Sequence, residues 1–124
     1  MSFENRIKCI YKLKELGFQT GCGMMIGSPF QNMRNLYDDL NFILKLKPQM
    51  VGIGPFIPQH DTPFRDFERG KLEDVLKILS IVRIADEKLL LPATTALGSI
   101  DDFGREKGIL AGANVLMPNV GAEK

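Results

Sequence analysis

Apolar residues along the chain follow two rhythms, a helical one near 3.6 residues and short unbroken runs of strand length. Phe3, Ile7, Ile10 and Leu13 fall near helical spacing among lysines and arginines, with Ser2 placed as N-cap, which predicts a helix over 3–16 ended by Gly17. A short buried strand is expected over 19–26, carrying glycines at 21 and 23, and Gly27-Ser28-Pro29 signals a turn. Asn32 caps a second helix with Leu36, Leu40, Ile43 and Leu44 on one face and Pro48 as its stop. Met50-Val51-Gly52-Ile53 reads as the second strand and leads into a long polar loop over 55–70. A third helix over 71–85 shows an inward stripe of Leu72, Val75, Leu76, Leu79 and Val82. Residues 89–94 form a third strand. Ser99-Ile100-Asp101-Asp102 has the form of a capping box, with Asp in the usual Glu place, ahead of a short helix over 101–110. A fourth strand spans 113–117.

The order is α-βα-βα-βα-β. Strands alternating with helices at this spacing imply parallel pairing through right-handed crossovers. Near-continuous apolar runs imply strands covered on both faces. The 124 residues form one domain with no interior linker, fewer than the roughly 200–250 of a complete (β/α)₈ barrel. Four parallel strands leave an edge at each end of the sheet. An open doubly wound sheet and half of a barrel both satisfy the pattern.

Charge narrows the function classes. Lysine and arginine nearly balance aspartate and glutamate, for a net charge of +1, and no basic stripe marks a nucleic-acid surface. The apolar runs are interrupted well short of the roughly 20 residues of a membrane span, and the first residues show no signal-peptide stretch, so the expected setting is cytoplasmic, away from membranes. The two cysteines, Cys9 and Cys22, lack CxxC or CxxxCxxC spacing and read as buried apolar thiols. A 4Fe-4S cluster generally takes three or four thiolates, so this segment cannot hold one alone.

In parallel α/β folds ligands sit on the loops after the strands. Here these are residues 27–31, 54–58, 94–98 and the tail after Met117. They carry no acid–base pair, no Ser/His/Asp set and no metal-ligand cluster, and neither a catalytic residue nor a metal ligand is assigned. Glycines, prolines, methionines and two adjacent hydroxyls remain, a set suited to a cofactor that brings its own reactivity. Gly21, Gly23 and Gly27 allow a flat ligand close to the backbone, although tight packing explains any one of them as well. Thr94 and Thr95 end a strand where hydroxyls and N–H groups could hold an anion; β-branched strand formers are the plainer reading. Met25, Met50 and Met117 all fall on strands, as core filling or as the lining of an apolar cavity. His60, on a turn-rich loop, is expected to be a surface residue.

Together the loops resemble one family. Residues 51–58 followed by Asp61-Thr62-Pro63-Phe64, then Pro92-Ala93-Thr94-Thr95-Ala96-Leu97-Gly98, Gly104-Arg105-Glu106-Lys107-Gly108 and residues 111–119, resemble the HydE family of radical S-adenosylmethionine (SAM) FeFe-hydrogenase maturases. Ser2-Phe3-Glu4-Asn5-Arg6 and Leu13-Lys14-Glu15-Leu16-Gly17 fit as well, so the likeness runs through essentially the whole chain.

The resemblance implies an α/β parallel half barrel, strands five to eight of a radical SAM TIM-type barrel, with residues 1–124 as the C-terminal half of a biotin and thiamin synthesis-associated domain. In that family a CxxxCxxC loop in the amino-terminal half holds a 4Fe-4S cluster, SAM chelates its remaining iron, and a 5′-deoxyadenosyl radical acts on substrate inside the barrel. It further implies Met25 and Ile57 as cofactor-binding residues flanking the adenosyl group, and Met50, Thr94, Thr95 and Met117 as substrate-cavity residues. Implied partners are the missing N-terminal half barrel, hydrogenase maturation proteins and a small-molecule or iron-complex substrate. The chain departs from the family in two places. Phe30 stands where Gly-Leu-Pro-Gly-Gln would have its second glycine, and CxxxCxxC is absent, so the isolated chain is expected to be inactive. The alternatives are a methylornithine- or biotin-synthase-like enzyme, or a non-catalytic half barrel that binds a ligand or itself.

Overall fold

The computed structural model describes residues 2–117 and Gly121. Helix α1 spans Phe3–Glu15, and the Ser2 hydroxyl accepts the Asn5 N–H at 3.3 Å. Its apolar face finds little to pack on: α1 has no buried residue, and Phe3, Tyr11 and Leu13 are exposed. Strand β1 follows at Gly21–Ile26. Thr20 is pinned to the next strand by Gln49, whose side-chain oxygen accepts both the Thr20 N–H (2.8 Å) and its hydroxyl (3.1 Å).

Helix α2, Met33–Leu46, starts on a complete capping box: Asn32 accepts the N–H groups of Arg34 and Asn35, and Asn35 returns an oxygen to the Asn32 N–H. It ends at Lys47 in a left-handed conformation (φ 49°), one residue before Pro48. Ile43 and Leu46 carry the buried side of its last turns while Leu44 faces outward, so the expected stripe is rotated there. Strand β2, Met50–Pro55, runs two residues beyond the expected end, and α3, Leu72–Ala85, buries Val75, Ile78, Leu79 and Val82.

The last third departs most from expectation. Strand β3 is only Pro92–Ala93, and the following loop is instead a short helix, α4, at Thr95–Ile100. Thr95, Gly98 and Ser99 give it weak intrinsic helicity, but Leu97 is fully buried and anchors it. Ser99 therefore caps nothing: its hydroxyl donates to the Thr95 carbonyl at 3.2 Å, and Asp101 accepts the Phe103 N–H at 2.9 Å instead. Helix α5 spans Gly104–Leu110 and strand β4 Val115–Leu116. The tail after Met117, read above as a loop, lies outside the described residues apart from Gly121.

All observed pairings are parallel. β1 pairs with β2 from Gly21↔Met50 to Ile26↔Pro55, and β3 with β4 at Pro92↔Val115 and Ala93↔Leu116. A bridge at Met50↔Leu90 joins the two pairs, with the Val51 N–H on the Leu90 carbonyl at 2.9 Å. The spatial order is thus β1-β2-β3-β4, the order of the chain itself. A doubly wound sheet reverses its strand order at a switch point. Here no reversal occurs, and the core lies on one side, where Ile26, Val51, Ile53, Leu91 and Ala93 pack with α3 and Leu97. The opposite face is bare: Gly21, Gly23, Met25 and Met50 are exposed. The expectation of strands covered on both faces fails for this chain, because the apolar runs contain glycines and methionines at every second position of β1 and β2. The architecture is an α/β half barrel with its inner wall open.

Candidate functional site

Side chains alternate across a strand, so Cys22, Met24 and Ile26 turn to the helices while Gly21, Gly23 and Met25 turn to the bare wall. On β2, Val51, Ile53 and Pro55 are buried, and Met50, Gly52 and Gly54 face the wall. The register sets each wall methionine beside a glycine, Met25↔Gly54 and Met50↔Gly21, with Gly23↔Gly52 between them. A Cβ at Gly23 would lie 2.5 Å from the Gly52 carbonyl oxygen, so the two strands approach with no room for a side chain there. The result is a shallow floor of backbone flanked by two flexible thioethers.

At the carboxyl end the floor acquires a polar group. The Thr94 Oγ1 would lie 3.2 Å from a Cβ placed at Gly54, which puts Met25 on β1, Gly54 on β2 and Thr94, just after β3, in one row. The Thr94 Oγ1 is buried, makes no hydrogen bond and does not cap α4, although Thr94 is its N-cap residue. The Arg105 Nε is likewise buried without a partner, packed against Gly98. Gln31 secures the rim of β1: its amide nitrogen donates to the Met25 carbonyl at 2.8 Å and its oxygen accepts the Gly27 N–H at 2.7 Å.

The other anticipated residues are spread more widely. Ile57, half-buried, follows Phe56 on the loop just beyond β2. Thr95 is exposed as the first residue of α4, and Met117 follows β4. Met50 lies at the amino end of β2, four residues and thus about 13 Å along the strand from Gly54. A cavity of about 800 Å³ lies away from this wall, lined by Glu68, Arg69, Lys71, Leu72, Asp101 and Lys107, and includes none of the anticipated residues.

Above the row, four aromatic rings link the loops after β1 and β2. Phe30 stands edge-on to Phe67 (5.5 Å) and Phe64 (6.5 Å), and Phe64 to Phe56 (6.4 Å). Phe30 is 82% exposed at φ 65°, a left-handed conformation that favours glycine. The backbone here thus keeps the shape suited to the family's glycine, and its phenyl ring leans on the neighbouring loop. Pattern reading had no means of finding this cluster, since its members share no period. His60 is exposed and lies 3.0 Å from Asp61, as a surface histidine.

Neither thiol belongs to the wall. Cys9 is exposed on α1, contrary to the expected burial, because α1 has no neighbour on that side. Cys22 faces the core, where burial pushes its thiol pKa up. Among the described residues no three His, Cys, Asp or Glu side chains come together as a metal site. Two thiols on different elements do not fit a 4Fe-4S cluster. The glycine floor and the orphaned Thr94 hydroxyl do fit the close approach of a flat polar cofactor such as SAM.

Wall, strand order and relatives define one class: the chain belongs with the radical SAM barrel proteins, as part of such a barrel. It superposes on the crystal structure of methylornithine synthase (PylB) with a TM-score of 0.82 and 29% identity, over 94% of this chain and 34% of that one. The particular likeness is to the [FeFe] hydrogenase maturase subunit HydE of Thermotoga maritima, 48% identical over 95% of this chain and 34% of the relative. The 3-methylornithine synthase of Methanosarcina acetivorans is 33% identical over 82% of the chain, and the biotin synthase of Corynebacterium jeikeium 28% over 94%. The chain spans about a third of the length of these curated relatives. No family model matches it.

Proposed function

We propose that this chain is the SAM- and substrate-facing wall of a radical SAM enzyme that takes part in assembling the diiron site of FeFe-hydrogenase, working in the cytoplasm with other maturation proteins. The row of Met25, Gly54 and Thr94 carries the reading: an unfilled backbone floor, a thioether and an unsatisfied hydroxyl converge at the carboxyl end of a parallel wall. Bound SAM supplies radical chemistry. This chain's own residues supply its seat. Met25 and Ile57 flank the adenosyl group, and the glycines admit its plane. Thr94, Thr95, Met50 and Met117 extend the surface toward substrate, two hydroxyls among thioethers that help keep water from a reactive centre.

With two thiols the isolated chain cannot assemble the cluster and is inactive alone. Replacing the corresponding third of the Thermotoga maritima maturase with these residues tests the reading. The chimera, reconstituted anaerobically, should cleave SAM reductively and support hydrogenase maturation in a strain lacking its own maturase. Cleavage without maturation would favour a methylornithine- or biotin-synthase-like role. A folded chimera with an intact cluster and no cleavage would defeat the proposal.

A further inference from the structure

The long loop between β2 and α3 is closed at its base. The Gly70 N–H donates to the Phe56 carbonyl and the Phe56 N–H to the Ile26 carbonyl, both at 2.8 Å, so residues 57–69 leave and return at one neck. The neck sits against the end of β1, where a Cβ at Gly27 would lie 2.6 Å from the Gly70 Cα. A compact surface loop with adjoining ends keeps its shape through its own side chains. Among the described residues, the hydrogen bonds of 57–69 all stay within it. Thr62 donates its N–H (3.1 Å) and its hydroxyl (2.8 Å) to the Gln59 carbonyl, while the N–H groups of Arg65 and Phe67 donate to the carbonyls of Thr62 (3.2 Å) and Phe64 (3.1 Å). The side-chain pairs His60–Asp61 and Arg65–Asp66 are internal as well.

What joins this loop to the one after β1 is aromatic. Phe64 and Phe67 stand edge-on to one another at 5.6 Å, and the Phe30 ring stands edge-on to both, an arrangement aromatic pairs favour. Phe30 reaches them from a strained position. The Gln31 N–H donates to the Ser28 carbonyl at 3.0 Å and closes a turn with Pro29 second and Phe30 third. Proline holds φ negative at the second place and φ is 65° at the third, which makes this a type II turn, whose third place favours glycine. A Cβ there crowds the neighbouring carbonyl. Glycine would form the same turn without that strain, so the phenyl ring is explained by what it touches. The turn is itself fastened to β1, because the Gln31 side chain bonds both the Gly27 N–H and the Met25 carbonyl.

We propose that Phe30 is a positioning residue: from a turn fixed by Gln31 it clamps the loop of residues 57–69 to the carboxyl end of β1. Ile57 then lies between two fixed points, the neck at Phe56 and the ring cluster at Phe64. The clamp sets how closely Ile57 and Met25 approach the adenosyl group, a step that rests on the functional reading above. Losing the ring loosens the loop without unfolding the wall, since neither the β1–β2 ladder nor the neck bonds involve Phe30.

Backbone amide exchange followed by NMR on the full chain tests the clamp. In Phe30→Gly the Thr62, Arg65 and Phe67 amides should exchange about tenfold faster, for two lost edge-on contacts, while the amides of α3 keep their native rates. The urea midpoint should not fall, because glycine relieves the turn as the ring is lost. Phe30→Tyr keeps the ring and should keep native exchange in the loop. Unchanged loop exchange in Phe30→Gly, or faster exchange that extends through α3 with a falling midpoint, overturns the proposal. In the maturase chimera Phe30→Gly should raise the KM for SAM about fivefold at near-native kcat, the signature of a binding loop left to be ordered by its ligand. Phe30→Tyr should keep the native KM. A lowered kcat at native KM would overturn the positioning role. A native chimera that cleaves no SAM would defeat the functional reading instead, and the exchange rates decide the clamp either way.

Discussion

Replacing Thr94 with valine should make the chain more stable. The Oγ1 of Thr94 is buried and bonds to nothing, beside the bare backbone of Gly54 and the methyl of Ala96. A buried polar group without a partner costs about 1–3 kcal/mol in desolvation. Valine keeps the β-branched shape and the extended backbone of Thr94 (φ −69°, ψ 158°), so it removes the penalty with little repacking. A gain of about 1 kcal/mol is expected, roughly a fivefold shift in the folded-to-unfolded ratio and about 3–6 °C in Tm for a domain of this length. Urea unfolding should show a higher midpoint at unchanged slope. Thr94→Ser keeps the hydroxyl and should show no gain. In the chimera the valine variant should support less hydrogenase maturation while gaining stability, the trade expected of a group held unsatisfied for a ligand. A valine variant destabilised by 1 kcal/mol or more would falsify the premise that the hydroxyl lacks a partner.

Arg83 spans four carbonyls, donating from Nε to Gly112 (2.8 Å) and from its terminal nitrogens to Asp86 (3.1 Å), Glu87 (2.7 Å) and Leu89 (2.8 Å). Lysine carries the charge but not the planar fork, so Arg83→Lys should cost about 1–3 kcal/mol in urea unfolding. Asp101 is held below the usual carboxylate range chiefly by its 2.7 Å hydrogen bond to Lys107, with the Phe103 N–H assisting against desolvation. A depressed folded pKa adds stability above the unfolded carboxylate range, and that stability is lost as pH falls through the folded value. Asp101→Asn should therefore flatten the acid limb of the urea midpoint measured against pH; an unchanged limb would show that Lys107 contributes nothing there.

The first two thirds of the fold were legible because their elements obey one period each. Helix α2 announces itself by Asn32 and by Leu36, Leu40 and Ile43, and α3 by Val75, Leu79 and Val82; the core buries Ile43, Val75, Leu79 and Val82, with Leu36 and Leu40 half-buried against it. Helix α4 was not legible. Six residues with a glycine and β-branched threonine lack helical propensity, and only the burial of Leu97 against the sheet decides their conformation. The same distance dependence hid the third strand's true extent: a bridge at Leu90 and a side chain, Asn114, tie it to its neighbours. Asn114 accepts the Leu91 N–H at 2.8 Å and donates to the Leu89 carbonyl at 3.2 Å, a polar substitute for ladder bonds that no apolar pattern announces. For the wall, the sequence showed glycines and methionines on strands. It could not show that the register places each methionine beside a glycine, nor that Thr94 lacks a partner, since both depend on residues distant in the chain.

The two faces of β1 and β2 answer to different demands. On one face Ile26, Val51 and Ile53 are at most 2% exposed and hold the helices; truncating such residues costs about 2–5 kcal/mol. On the other, Gly21, Gly23, Gly52 and Gly54 contribute no side-chain burial and weaken both strands, since glycine in a strand interior gives up conformational freedom without packing anything. A chain selected for stability alone would fill that face with valine or isoleucine. Close strand approach accounts for Gly23, where a Cβ meets the Gly52 carbonyl, but not for Gly52, around which a Cβ would meet nothing within 4 Å. Open space beside a strand glycine, between two methionine–glycine pairs, is a cost with no return inside this chain. The return must come from what lies against the wall, whether cofactor or substrate.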